Sequence, residues 1–441
     1  MRTPGGQQEI GRRQALKLAT GAVGGLAITT SACTVLGGAP EEAKPPIRKP
    51  LWTFVLPDKD GIGQVLDGPP VHHDGVLYVR SKEDGLYAID AVTGRRRWHA
   101  PLAGALPGAP AVTSQAVFVA TDGGAVQALR TADGEQMWHQ APGRRLSKPG
   151  AGAVWVSGSV AMVSFLPFTY DDDPDPPSSV LYALDTRNGD LLWRAYASLL
   201  EVRDGLAYVT PPDESLTALD PRTGVVRWSA PLEKPGGRCT LDAFAEGLLF
   251  GRNGNVGIGS KLVAYDPRTG AVRWTAPAAH ASVPVASGDT VYISAPGRGS
   301  GDEQRLQAFD ATSGKRRWTA PAFSTTLNES PTIAADRDGA YLSWSEDSSF
   351  DEDRTTLRAY AARTGHERWR SERPDSSYAA DAAPGNRLFI SYLEDWYCHD
   401  TRTGKARWRV SAGESTSGPP PLAADGLLYF ASDRGIHALR L

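Results

Sequence analysis

From about residue 51 onward the chain is built of short apolar runs, four to six residues long, separated by Gly, Pro, Asp, Asn and Ser. Runs such as VLYVRS (76–81), AVFVAT (116–121), LAYVTP (206–211), VYISAP (291–296) and LFISYL (388–393) carry the β-branched and aromatic residues that pack well on a pleated surface. Each reads as a β-strand.

A longer phrase follows these runs and recurs eight times with constant internal spacing: LYAIDAVTGRRRW, VQALRTADGEQMW, LYALDTRNGDLLW, LTALDPRTGVVRW, LVAYDPRTGAVRW, LQAFDATSGKRRW, LRAYAARTGHERW and WYCHDTRTGKARW. Glycine stands four residues before tryptophan in every copy. The glycines are Gly94, Gly134, Gly189, Gly224, Gly270, Gly314, Gly365 and Gly404; the tryptophans are Trp98, Trp138, Trp193, Trp228, Trp274, Trp318, Trp369 and Trp408. In six copies Asp stands four residues before the glycine: Asp90, Asp185, Asp220, Asp266, Asp310 and Asp400. Asp bonds the turn backbone and Gly accepts positive φ, so the phrase reads strand, turn, strand. The apolar run upstream supplies another strand. A further one precedes that, marked by Pro70, Pro110, Pro284, Pro331, Pro384 or Pro421, since proline is tolerated at strand starts and edges.

Four strands in a unit of roughly 40 to 45 residues make one propeller blade. The chain ends in LLYFASDRGIHALRL, a unit lacking its outer strand, and Leu51-Trp52-Thr53 is an outer strand lacking its unit. Pairing them closes the ring and removes two exposed edges. The expected fold is therefore all-β, a closed propeller of eight or nine four-stranded blades, with nine counted in sequence and the N-terminal strand completing the last.

The pattern A-x-D-x-x-T-G-x-x-x-W resembles the tryptophan-docking repeat of the pyrroloquinoline-quinone-type (PQQ-like) propeller family. That family includes quinoprotein dehydrogenases, an outer-membrane assembly lipoprotein and sensor propellers of bacterial kinases. The resemblance covers residues 51–441 and implies that each Trp packs on the neighbouring blade, with its indole N–H directed at a carbonyl. A quinoprotein dehydrogenase would carry adjacent disulfide-bonded cysteines over the quinone, a Ca²⁺ site and an aspartate base. Cys239 and Cys398 are far apart in sequence, so no catalytic residue transfers and PQQ with Ca²⁺ is not expected.

The N-terminus reads as an export signal. Arg12-Arg13 with Leu16 and Lys17 resembles a twin-arginine motif, with Ala15 where that family usually has Phe. The apolar stretch Leu18–Ala32 is short for a membrane span and ends in Thr30-Ser31-Ala32-Cys33, which resembles a bacterial lipobox with Thr30 in the usual place of Leu. Residues 1–33 are thus expected to be a signal with lipidation at Cys33, 34–50 a Pro- and Gly-rich tether, and 51–441 one propeller domain. The protein would be exported and held by lipid on the extracytoplasmic face of the cell membrane.

Composition sets limits on partners. The 441 residues include 47 basic and 50 acidic side chains, a formal charge of -3, which gives no pull toward nucleic acid. Three cysteines, one of them in the leader, permit at most one intramolecular disulfide in the domain. No metal site is expected: the histidines lack ligand spacing, His72-His73 reads as a loop, and DDDPD at 171–175 lacks the Gly and Glu of a Ca²⁺ loop. GRNGNVGIG likewise reads as a loop.

The units vary most between their second and third strands, where FLPFTYDDDPDPPSS, NGNVGIGS, PGRGSGDEQR and SEDSSFDEDRTT are inserted. Rotational equivalence of blades would place these on one face. Asp171, Asp173, Asp175, Asp351, Glu352 and Asp353 mark it as a candidate binding face for a protein partner or small extracytoplasmic ligand, the alternative being that these acidic loops only keep the protein soluble. Two other functions stay open, a divergent PQQ-dependent dehydrogenase and a scaffold for envelope assembly.

Overall fold

The computed structural model describes residues 45–57, 66, 68–81, 84–102, 108–121, 124–142, 149–167, 179–231, 238–254, 260–278, 281–296, 303–324, 331–346, 354–373, 377–383, 385–392, 395–411, 421–432 and 434–441. Pro45–Leu441 form one compact unit. Every assigned element in them longer than a single turn is a strand, and the strands fall into nine antiparallel sheets, which are the blades of a β-propeller.

Blade 1 shows the plan: Val71–His73, Val76–Ser81, Gly85–Asp90 and Arg96–Ala100 pair in sequence order. Its second and third strands are mostly apolar on both faces and buried at every residue but Asp90, because neighbouring blades cover both sides. The fourth strand is exposed except at Trp98 and Ala100 and forms the outer edge. The third strand bulges at Ala88/Ile89, where it pairs with the fourth, and the equivalent irregularity recurs in blades 2 to 8.

Of the two blade counts, nine is the one observed. Leu422–Ala424, Leu427–Ser432 and Gly435–Arg440 form three strands of blade 9, and Trp52–Val55 is the fourth. Its register runs from Trp52↔Ala438 to Val55↔Gly435. Pro46–Arg48, which composition places in the tether, also pair: the Arg48 N–H donates to the Arg409 carbonyl at 2.8 Å and the Arg409 N–H to the Pro46 carbonyl at 3.0 Å.

Four local expectations are corrected. His72 and His73 lie in a strand, because the Asp74-Gly75 turn, with φ of 48° and 70°, folds Val71–His73 onto Val76–Tyr78. Gly251–Gly254, read as loop, complete the strand Leu248–Gly254; a side chain at Gly251 would collide with the Thr240 carbonyl. The insertions are partly strand, since Gly339–Glu346 pairs through to Arg354 and Glu303–Asp310 starts inside PGRGSGDEQR. Finally, Pro384 does not start the first strand of blade 8, because Ser377–Ala383 precedes it.

Candidate functional site: the docking ring and its seam

Each blade is fastened to the next at its outer edge. The indole Nε1 of Trp98 donates to the Thr131 carbonyl at 2.8 Å, Trp138 to Thr186 at 2.9 Å, Trp193 to Pro221 at 2.9 Å and Trp228 to Pro267 at 3.0 Å. Trp274 reaches Ala311, Trp318 reaches Ala362 and Trp369 reaches Thr401, each at 2.8 Å. The acceptor always belongs to the third-to-fourth turn of the following blade.

The indole plane lies on the glycine of that same turn. A Cβ added to Gly94 would sit 2.5 Å from Trp52, and one added to Gly314 2.5 Å from Trp274; Gly224 and Gly270 receive Trp193 and Trp228 in the same way. These glycines have φ near 70°, so the repeat needs glycine twice, for its backbone and for its bare surface. Buried tyrosines share some of the acceptors: Tyr208 donates to Pro267 at 3.3 Å, and Tyr429 to Ala91 at 3.2 Å.

The repeat aspartates do more than shape turns. In five blades the Asp carboxylate also grips the Arg that precedes Trp: Asp90–Arg97 at 2.8 Å, Asp220–Arg227 at 2.6 Å, Asp310–Arg317 at 2.7 Å, and the close pairs Asp266–Arg273 and Asp400–Arg407. Hydrogen bonds from these arginines, helped by turn N–H groups, push the Asp90, Asp220 and Asp310 carboxyls down to about 2. Where the pattern breaks, the charges rearrange. Blade 2 carries Arg130 in place of Asp, paired with Asp133 and Glu135 at 2.7 and 2.8 Å; blade 3 has no Arg before Trp193, and Asp185 takes Arg187 at 3.0 Å.

The seam of the ring departs from the plan. Trp52, read in sequence only as part of a closing strand, is a ninth docking tryptophan: its Nε1 donates to the Ala91 carbonyl at 3.2 Å. Trp408 faces blade 9, whose third and fourth strands are joined by no turn, and the Arg48 guanidinium lies over its ring, 5.1 Å from the centroid. Arg48 also donates to the Arg440 carbonyl at 3.0 Å. Inside the seam, Thr53 Oγ1 and Ser432 Oγ lie 2.9 and 2.7 Å from the two nitrogens of His437.

Arg12, Arg13, Cys33, Asp171, Asp173, Asp175, Asp351, Glu352 and Asp353 lie outside the described residues. The strand ends flanking the acidic segments, Pro167/Val180 and Glu346/Arg354, occupy the same topological position in blades 3 and 7. Cys239 and Cys398 are free and buried, and burial pushes both thiols up to about 11. Among the described residues no group of three or more His, Cys, Asp or Glu could hold a metal ion.

The family model described as outer membrane protein assembly factor BamB matches residues 44–203, 212–347 and 353–440. The outer membrane protein assembly factor BamB of Xanthomonas campestris pv. campestris is 32% identical over 120 residues, 26% of this chain and 28% of that protein. The serine/threonine-protein kinase AfsK of Streptomyces griseus is 31% identical over 153 residues, 33% of this chain and 17% of the kinase. The matches thus span less than a third of either relative. Among solved structures, BamB from Moraxella catarrhalis superposes with a TM-score of 0.51 at 13% identity, covering 88% of this chain and 96% of that one. A quinohemoprotein alcohol dehydrogenase from Pseudomonas putida gives 0.55 at 14% identity, covering 88% and 72%. At such identities the likeness concerns the fold alone. Eight repeats, nine blades and a match running from residue 44 to 440 agree, and the chain belongs to the PQQ-like propeller family described as outer membrane protein assembly factor BamB.

Proposed function

We propose that this protein is an exported, lipid-anchored propeller that acts without catalysis, as a scaffold holding a protein partner or an extracytoplasmic ligand. The family match over nearly the whole domain carries this reading, since the family is described by an assembly factor. Its physical support is how the repeat uses its chemistry: the recurring Trp and Gly, and the Asp–Arg pairs of five blades, are engaged in docking and turns. Specific recognition is left to segments that differ between blades.

The test is a pull-down from the host envelope, with wild type and with Asp351→Asn, Glu352→Gln and Asp353→Asn combined as bait. Recovery of a partner by wild type and weaker recovery by the triple variant, with the loss shrinking as salt rises, is the expected result. Equal recovery by both moves recognition away from the acidic segments. Export and anchoring are tested by Cys33→Ser, which should shift the protein from the membrane fraction to the soluble exported fraction.

The quinoprotein dehydrogenase fold neighbours motivate one rival reading. Purified protein supplied with PQQ and Ca²⁺ should develop no quinone-dependent spectrum and no dye reduction; a robust signal overturns the scaffold proposal.

A further inference from the structure

In a four-stranded antiparallel blade the first-to-second and third-to-fourth turns lie at one end and the remaining connections at the other. The closing strand Trp52–Val55 is antiparallel to Gly435–Arg440, so it starts at the end that carries the docking turns. The chain therefore enters the ring on that face, in the seam between blades 8 and 1. Contacts fix the neighbours of the entry point. Ile47 bridges to Arg409, Arg48 lies over Trp408, the Leu51 N–H donates to Ala438 at 2.8 Å, and Trp52 sits on the 91–94 turn of blade 1.

This seam has an unusual surface. Ile47, Leu51 and Val92 are 60%, 51% and 68% exposed, although all three are large aliphatic side chains. Around them, Arg48 and Lys49 are exposed on the segment that enters the ring, Arg95 and Arg96 on blade 1, and Arg402 and Lys405 on blade 8. The carboxylates of the two flanking turns, Asp90 and Asp400, are each held by their own arginine, Arg97 and Arg407. Of the nearest first-to-second turns, Asp425 lies 3.3 Å from His72 and Asp74 3.4 Å from His73. Exposed aliphatics framed by cations that form no ion pair among the described residues match the surface of a protein that rests on an anionic bilayer.

We infer that this seam is a docking surface for anionic lipid, which sets the propeller with its seam edge against the membrane and the blades on the far side of the ring away from it. The inference rests on the proposed anchoring. Cys33 precedes Pro45, the first described residue, by twelve positions, which at full extension span roughly 40 Å. A tether of that length keeps the seam at high effective concentration beside the bilayer, so weak contacts suffice to orient the ring.

The experiment uses the full chain carrying Cys33→Ser, so that any binding is independent of lipidation. It is sedimented with vesicles of phosphatidylcholine alone or with about one-third phosphatidylglycerol. The chain should bind only the anionic vesicles and leave them at high salt. Arg95→Gln, Arg96→Gln, Arg402→Gln and Lys405→Gln combined should cut partitioning at least tenfold, given about fivefold per cation at such a surface. Val92→Ser should weaken binding to the anionic vesicles by a margin that stays the same as salt is raised over the range in which the parent still binds. A control quadruple, Arg194, Arg268, Arg363 and Arg370 to Gln, removes as many exposed cations from other blades and should bind like the parent. Absence of binding to anionic vesicles, equal binding to both vesicle types, or equal loss in both quadruples overturns the inference. Lipidation is read separately, from the mass of the wild-type protein isolated from membranes: an unlipidated protein whose Cys33→Ser form still binds anionic vesicles rejects the anchor and keeps the seam.

Discussion

At the residue scale, the Trp-on-Gly contact combines two costs that can be separated. Gly314 and Gly75 have φ of 69° and 70°, but a Cβ at Gly314 would meet Trp274, whereas nothing lies within 4 Å of one at Gly75. Both alanine substitutions incur the backbone strain of about 1–2 kcal/mol, and only Gly314→Ala also displaces an indole, for about 1–3 kcal/mol more. Urea titration should therefore show Gly314→Ala unfolding at clearly lower denaturant than Gly75→Ala. Equal midpoints would mean that the glycine serves its turn and not the docking. Trp274→Ala removes the other partner and should cost about 3–5 kcal/mol, read in the same titration. The spacing of eight Trp-Gly pairs was open to view in the sequence. The partner of each glycine was not, since it is the Trp of the preceding blade, and nothing local to a repeat identifies it.

At the element scale, the third-to-fourth turn is a charge clamp as well as a bend. Asp90, Asp220 and Asp310 have carboxyls near 2 in the folded ring against an ordinary 3.8, so the folded state binds protons less readily than the unfolded chain. The clamps contribute their full stability above about pH 4 and lose it as pH falls toward 2. The unfolding temperature should drop through that window, and Arg227→Gln with Arg97→Gln should flatten the drop while lowering stability at neutral pH. The Asp was legible as a turn former, but its Arg seven residues later was not, because pairing across a hairpin depends on the bulge beside the turn. The closing strand is the other element with a testable role. Deleting Leu51–Phe54 should leave blade 9 with an open edge and drive the monomer to aggregate in light scattering; a stable monomer would contradict the pairing.

At the scale of the whole molecule, the ring buries both blade cysteines, and their accessibility reports on its opening. With both thiols raised to about 11 and both side chains buried, Cys239 and Cys398 should react with a thiol reagent at neutral pH only as fast as the ring unfolds. Labelling should accelerate in step with added denaturant. Fast labelling in buffer would indicate that blades 5 and 8 open independently of the rest.

What the sequence determined by itself was whatever repeats or is local: strands from apolar runs, turns from Asp and Gly, blades from the period, and closure from a strand missing at one end and spare at the other. Rotational equivalence turned those local facts into a ring. What the tertiary structure alone decided lies where equivalence fails. Pro46–Arg48 look like linker in composition, yet they pair along Arg409, and Arg48 covers the one docking tryptophan that faces no turn. His72 and His73 are a strand only because a neighbouring strand pairs with them. The exposed Ile47, Leu51 and Val92 come from the tether boundary, the residue before the closing strand and a repeat turn, and they come to the same seam only once that strand pairs with blade 9, because the proximity of residues far apart in sequence is set by packing and not by pattern.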